Sequence, residues 1–261
     1  MHFFIWAVLA SLAGTPALTT AATVPLPRSR PLFPDAPPPA EPATPDGPAA
    51  SSPPSQPAEP SQCFVALTSG LAEAAAQPPI VAGPGCGATD VVRLDAVVLK
   101  DQRRAEFKPA PMLRCTMATA VANWLREDVA EQVLPLGAPL AGIENYDSYD
   151  CRPRNRVAGA EISEHGRANA IDIRSFTLTN GKRFELTDTA VKKSVRDNLK
   201  AGACARFMTV LGPGSDGYHE EHIHFDLAER NNGYRICQWD VNLPVPLPRP
   251  RPPELAQRAD Q

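Results

Sequence analysis

Six cysteines constrain this chain more than any other feature. Cys63, Cys86, Cys115, Cys151, Cys204 and Cys237 are the whole complement, and all lie in one central stretch. Proline-rich sequence brackets that stretch. Residues 24–62 read "VPLPRSRPLFPDAPPPAEPATPDGPAASSPPSQPAEPSQ", with few large apolar side chains. Such sequence cannot bury enough surface to offset the entropy of ordering it. Residues 23–62 are therefore expected to form a disordered, partly polyproline-II spacer. Residues 241–261, with "LPVPLPRPRPP", are expected to be a similar tail. That leaves residues 63–240 as a single folded domain.

The N-terminus supplies the redox context. Residues 3–13, "FFIWAVLASLA", are a short apolar run followed by small residues. Residues 1–22 are expected to be a signal peptide, cleaved near Ala21 or Ala22. The run is too short for an ordinary membrane span. A membrane partner is expected only if this segment stays uncleaved. With cleavage, the chain is secreted to the periplasm or cell envelope. An even number of cysteines behind such a segment reads as up to three disulfides. Six cysteines allow about fifteen pairings, which sequence alone does not choose between. No C-x-x-C pair occurs, which disfavours a cysteine zinc knuckle or a thioredoxin-like site. The net charge of −3 gives no sign of a nucleic-acid partner.

Within 63–240 the pattern mixes helix and strand. Residues 63–77 read as a short helix stopped by Pro78. Residues 89–99 alternate and are rich in valine, as strands are. Residues 113–133 are the clearest helix, with Met117, Val121, Trp124, Leu125 and Val129 on one stripe. Trp124 is expected to anchor the core. Residues 141–152 suggest a strand and turn. Residues 169–178 suggest a strand, and Asn180-Gly181 a hairpin turn. Residues 188–208 suggest a helix broken near Gly202, and "HIHFDLA" a further strand. Without a regular βαβ repeat, the expected class is α+β: a mainly antiparallel sheet with flanking helices, braced by disulfides.

Histidine carries the chemistry. The chain has five, and apart from His2 they fall in two clusters, "SEHGRANAID" at 163–172 and "HEEHIHFD" at 219–226. Zinc takes imidazole nitrogen and carboxylate oxygen, and a catalytic site keeps three protein ligands and one open position. His165 and Asp172 can reach one point across their loop. His222 and His224 are two apart, which puts them on one face of a strand. A His–Asp–His set is thus available from His165, Asp172 and one of the last pair. The helical motif H-E-x-x-H fails, because four places after His219 stands Ile223.

These residues resemble a known group. "SEHGRANAID" resembles the S-x-H-x-x-G-x-A-x-D motif of the LAS-type zinc peptidases, which include lysostaphin-like enzymes and D-alanyl-D-alanine peptidases. "EHIH" resembles their closing H-x-H. Across "CTMATAVANW", "YDCR", "SEHGRANAIDI", "LGPG" and "HEEHIHFDLA", the chain resembles the bacterial extensin-like C-terminal domain family. The resemblance implies a LAS-type zinc peptidase-like fold holding one zinc ion on His165, Asp172 and His224. It implies that Glu221 acts as general base, His222 assists at the substrate carbonyl, and Arg152 clamps a substrate carboxylate or polarises the carbonyl. It implies that Ser163 supports the first ligand from the outer shell, where His219 could also stand. Strand alternation puts Glu221 on the opposite face from His222 and His224. The base role therefore requires a bend at Glu221, or passes to Glu220 or His219. Ala168 stands where the pattern has glycine. The implied partner is peptidoglycan or a cell-wall peptide, cut by water without a covalent enzyme intermediate. The alternative is a non-catalytic wall-binding module that keeps the fold.

Overall fold

The computed structural model describes residues 59–244. The expected signal segment, most of the spacer and nearly all of the tail lie outside the described residues. The first helix, α1 (Gln62–Thr68), is capped by Ser61, whose hydroxyl accepts from the Phe64 amide. Gly70, at φ +95°, then reverses the chain into β1 (Ala72–Gln77). The "AEAAAQ" of β1 has helical propensity, so the helix expected through residue 77 ends early. A segment this short gains little from propensity alone. It gains more by pairing along the edge of a sheet, with Ala72 opposite Val97 and Gln77 opposite Val91.

The remaining strands are β2 (Ile80–Val81), β3 (Gly87–Ala88), β4 (Val91–Val98), β5 (Arg104–Lys108), β6 (Met112–Arg114), β7 (Leu140–Asp147), β8 (Ala170–Leu178), β9 (Arg183–Glu185), β10 (Thr209–Leu211), β11 (Ile223–Asp226) and β12 (Ile236–Gln238). Ten of them, β1 included, form one sheet along the path β1-β4-β5-β7-β8-β11-β10-β12, with β6 on β4 and β9 on β8. β2 and β3 pair separately. Pairing is antiparallel except at β5·β7 and β10·β12. The protein is thus mixed α and β, mostly sheet.

The long helix expected over 113–133 starts at Cys115, because Met112–Arg114 pair with β4. It runs as α2 (Cys115–Trp124), a π-turn (Leu125–Val129) and α3 (Ala130–Gln132). α4 (Lys193–Arg206) passes through Gly202 unbroken. A Cβ at Gly202 would lie 2.9 Å from Asp128 Cγ, so glycine serves close helix packing there. These helices bury one face of the sheet. Trp124 is fully buried, with its ring 4.8 Å from Phe225, 6.0 Å from Phe207 and 6.1 Å from Phe176.

Two register shifts between β7 and β8 shape the other face. Glu144 pairs with Ser175 but Asn145 with Ile173, which leaves Arg174 unopposed. Asp147 then pairs with Asp172, which leaves Tyr146 unopposed. Such bulges re-aim side chains.

Three disulfides brace the frame. Cys63–Cys115 ties α1 to the start of α2. Cys204–Cys237 ties α4 to β12. Cys86–Cys151 ties the segment before β3 to the loop that follows β7 and leads toward His165. Joint replacement of Cys86 and Cys151 by alanine is expected to lower stability by about 2–4 kcal/mol, since the bond closes a long loop. Guanidinium unfolding of both proteins checks this. An unchanged midpoint would show that the loop is held without the bond.

Candidate metal centre

Period-2 alternation sorts β8 and β11 into two faces. Ile171, Ile173, Ile223 and Phe225 join the core. Asp172, His224 and Asp226 project from the other face, where Asp172 and His224 are direct cross-strand partners. Asp172 Oδ1 lies 2.9 Å from His224 Nδ1.

His165 arrives from a 3-10 turn, Glu164–Arg167. Ser163 caps this turn, its hydroxyl accepting from the His165 amide at 3.4 Å. Glu164, itself buried, accepts from Arg167 and Asn169 at 2.6 Å each. Gly166 packs on the disulfide: a Cβ there would lie 2.9 Å from Cys86 Sγ and 2.8 Å from Ile162. Ala168 closes the turn in the left-handed region, φ 50° and ψ 28°, with its methyl buried. The position that the resembled pattern gives to glycine thus does require a positive φ. The turn sets His165 Nε2 3.1 Å from His224 Nδ1 and 3.2 Å from Asp172 Oδ1.

All three side chains are almost fully buried, and each imidazole is oriented from behind. His165 Nδ1–H donates to the Ser148 carbonyl at 2.5 Å. His224 Nε2–H donates to Asp226 Oδ2 at 3.1 Å, and Asp226 Oδ1 accepts from the Ala228 amide. With those protons placed, His165 Nε2 and His224 Nδ1 turn lone pairs on each other and on a carboxylate. That arrangement is repulsive unless a cation or a proton sits between them. A tetrahedral ion with bonds near 2.0–2.1 Å sets its donors roughly 3.3 Å apart, and the three separations here are 2.9, 3.1 and 3.2 Å. The nitrogen–oxygen–nitrogen set therefore fits zinc.

The electrostatics agree. Burial alone would push the Asp172 carboxyl up, but the His165 and His224 imidazoles more than offset it and hold it well below the usual range. Burial likewise opposes charge on His224, yet Asp172 and Asp226 overcome it and raise its pKa to about 10 in the ion-free cluster. Burial also pushes Asp226 up, and its bond to His224 holds it below the usual range. A field that favours a proton at His224 Nδ1 favours a dication more.

The remaining site residues separate into those at the cluster and those away from it. His222 Nε2 is 3.3 Å from Asp172 Oδ2. Burial lowers its pKa to about 4, against the attraction of Asp172. Its ring stacks on Tyr146 at 4.7 Å, and the Arg174 guanidinium covers Tyr146 at 4.2 Å. His219 Nδ1–H donates to Asp216 Oδ1 at 2.7 Å, and its ring is 5.6 Å from that of His224. Burial pushes Asp216 up, but its bond to His219 holds it below the usual range. His165, Asp172, His219, His222 and His224 all line one cavity of about 670 Å³.

Glu221 is not brought to the cluster. Its side chain is 74 % exposed and pairs with Arg174 at 2.9 Å. The chain does bend at residues 220–222, before β11 begins, but that bend does not carry Glu221 to the side of His222 and His224. Glu220 is also turned away, accepting from the Gly214 amide. Arg152 does line the cavity. Its guanidinium is spent on Asp147 Oδ2 at 2.9 Å and Asp150 Oδ2 at 3.1 Å. Asp226, Asp216, Tyr146 and the Ser148 carbonyl were not singled out from sequence. Asp226 carries a signal, two places after His224 on the same strand face. Asp216, three before His219, carries a weaker one.

A sequence model of the family described as extensin-like protein C-terminus matches residues 61–238. The chain belongs to the extensin-like C-terminal family. The match spans the extensin-like domain from Ser61, which caps α1, to the end of β12, and so includes every residue of the histidine–aspartate cluster. No curated protein and no solved structure is similar enough to the chain to count as a match.

Two outcomes follow for the extensin-like domain. Were zinc held on this cluster, Asp226→Asn would weaken its binding about 10–100-fold without loss of fold, because it removes the acceptor that orients His224. Competition with a chromophoric chelator measures this. An ion held there would have to displace the proton on His224 Nδ1, so apparent zinc affinity would rise about tenfold per pH unit between pH 6.5 and 8.5. The chelated protein should show the opposite trend. A raised pKa contributes stability that is complete below the unfolded value and is lost as pH climbs toward 10.

Proposed function

We propose that this protein is a zinc-dependent amide hydrolase of the cell envelope, secreted to the periplasm, that cuts short peptides of peptidoglycan. One observation carries the reading: His165 Nε2, Asp172 Oδ1 and His224 Nδ1 converge within 3.2 Å of one another at a cavity that also holds two further histidines. The proline-rich spacer would serve as a tether.

A zinc ion on these ligands supplies Lewis acidity, polarising a carbonyl and acidifying water. The chain's own groups do the rest. His219, held through Nδ1 by Asp216, presents Nε2 to the cavity and is placed to accept a proton and return it to a leaving amine. His222, uncharged at neutral pH because of its burial, is placed to hydrogen-bond the developing oxyanion. Tyr146 fixes its plane. The general-base role moves from Glu221 to His219, because only His219 of the two lines the cavity.

The non-catalytic wall-binding module is the second reading. It is favoured by one observation, the diversion of Glu221 to Arg174. The zinc-loaded protein and its Asp172→Ala variant should be incubated with purified peptidoglycan and assayed for new amine termini. The expected result is product from the parent and neither product nor bound zinc from the variant. His219→Ala should lower the rate about 10²–10⁴-fold, and Glu221→Gln by less than about tenfold. Zinc binding with no new amine termini would favour the module.

A further inference from the structure

The arginine that the resemblance would assign to a substrate carboxylate is not free to take one. Arg152 Nε and Nη2 already bond two carboxylates, Asp150 and Asp147, and its side chain is only 14 % exposed. Four arginines make no ion pair among the described residues, Arg114, Arg196, Arg230 and Arg235, and the first and third of these lie near the metal cavity. Arg230, which follows β11, is held by neutral acceptors: Nη1 donates to the Met208 carbonyl at 3.0 Å and Nη2 to Thr209 Oγ1 at 2.6 Å. Thr209 in turn stands directly opposite Asp226, the carboxylate behind His224, across the β10·β11 pair. Arg114, at the end of β6, has a buried Nε with no hydrogen-bond partner.

Both arginines line a cleft of about 640 Å³ beside the metal cavity. The two spaces share Arg154, Glu164 and Arg230 as their common wall. The acids of the cleft do not neutralise the pair. Glu161 is bound to Arg154, and Glu164 to Arg167 and Asn169. Glu229 is exposed and makes no ion pair among the described residues. A guanidinium fixed through part of its fork, with its remaining donors unpaired, is preorganised for a planar anion.

We infer that Arg230 and Arg114 form a carboxylate subsite, which makes this domain selective for peptides bearing a free carboxylate a short distance from the bond at the metal cavity. The inference rests on the hydrolase reading for its meaning, but the subsite itself binds without the metal. The carboxylate could be a peptide's C-terminus or an acidic side chain. Both present the same group to the fork.

The test uses the chelator-treated full chain, so that nothing is turned over, and calorimetric titration with three N-acetylated alanyl peptides. One is the free acid, one the C-terminal amide, and one the amide with an internal glutamate. At least one carboxylate peptide should bind tenfold or more tightly than the neutral amide. The free acid would identify a terminal carboxylate, and the glutamate peptide a side chain. The preference should fall below twofold in Arg230→Gln and in Arg114→Gln, and persist in Arg152→Gln. Should Arg230→Gln fail to fold, Arg114→Gln and the loss of preference at high salt decide the matter. Equal binding of all three peptides, or a preference that survives in the folded cleft variants, overturns the subsite. Hydrolysis by the zinc-loaded parent is scored separately. Cleavage without carboxylate preference removes the subsite and leaves the hydrolase, and preference without cleavage does the reverse.

Discussion

Asp172 and His224 stand directly opposite each other on adjacent antiparallel strands, far apart in sequence. The rest of the site depends on that register. A slip of one residue would turn the whole set over, burying the polar pair among Trp124, Phe207 and Phe176 and exposing Ile173 and Phe225. Register is therefore fixed by the core face. Phe225, on the same strand as both His224 and Asp226, packs 4.8 Å from Trp124. The hydrophobic contact that holds the sheet to its helices is also what aims Asp172 and His224.

The third member of the cluster, His165, has no strand to hold it, and its placement is made by other means. His165 lies on a short 3-10 turn, which has little stability of its own. Four constraints fix it: the Ser163 cap, the Ser148 carbonyl on the ring, the buried Glu164 bonds, and the Cys86–Cys151 disulfide under Gly166. Ala168 adds backbone strain of about 1 kcal/mol, which the turn must offset. A turn so restrained can oppose two imidazole lone pairs. One left loose would swing apart and relieve the repulsion.

Much of this was legible in the sequence, and the reasons are physical. Clustering of the histidines, with acids at strand or loop spacing, predicted which residues would meet, because side-chain direction on a strand follows from parity. The even cysteine count predicted bonds but not partners, since pairing depends on tertiary path. Ala72–Gln77 was misread because propensity describes an isolated segment, while β1 is decided by its pairing with β4. Gly202 was misread as a break because sequence does not show Asp128 against it. The Ser148 carbonyl could not be seen at all: a backbone acceptor leaves no mark in residue identity.

The fate of Glu221 follows from its ion pair together with the bulges. Glu221 lies in the bend at residues 220–222 that precedes β11, and that bend does not return it to the side of His222 and His224. The chain instead extends Glu221 toward Arg174, an unopposed residue of the β8 register shift. Arg174 lies over Tyr146, the unopposed residue of β7, and Tyr146 stacks on His222. Two bulges thus produce a chain of contacts from an exposed carboxylate to a cavity imidazole. Glu221 touches the site only through two intervening side chains. It can steady the plane of His222, but a carboxylate at that remove has no path to a proton in the cavity. In the proposed hydrolase the acid–base work would fall to groups that line the cavity, and His219, already oriented by Asp216, is one of them.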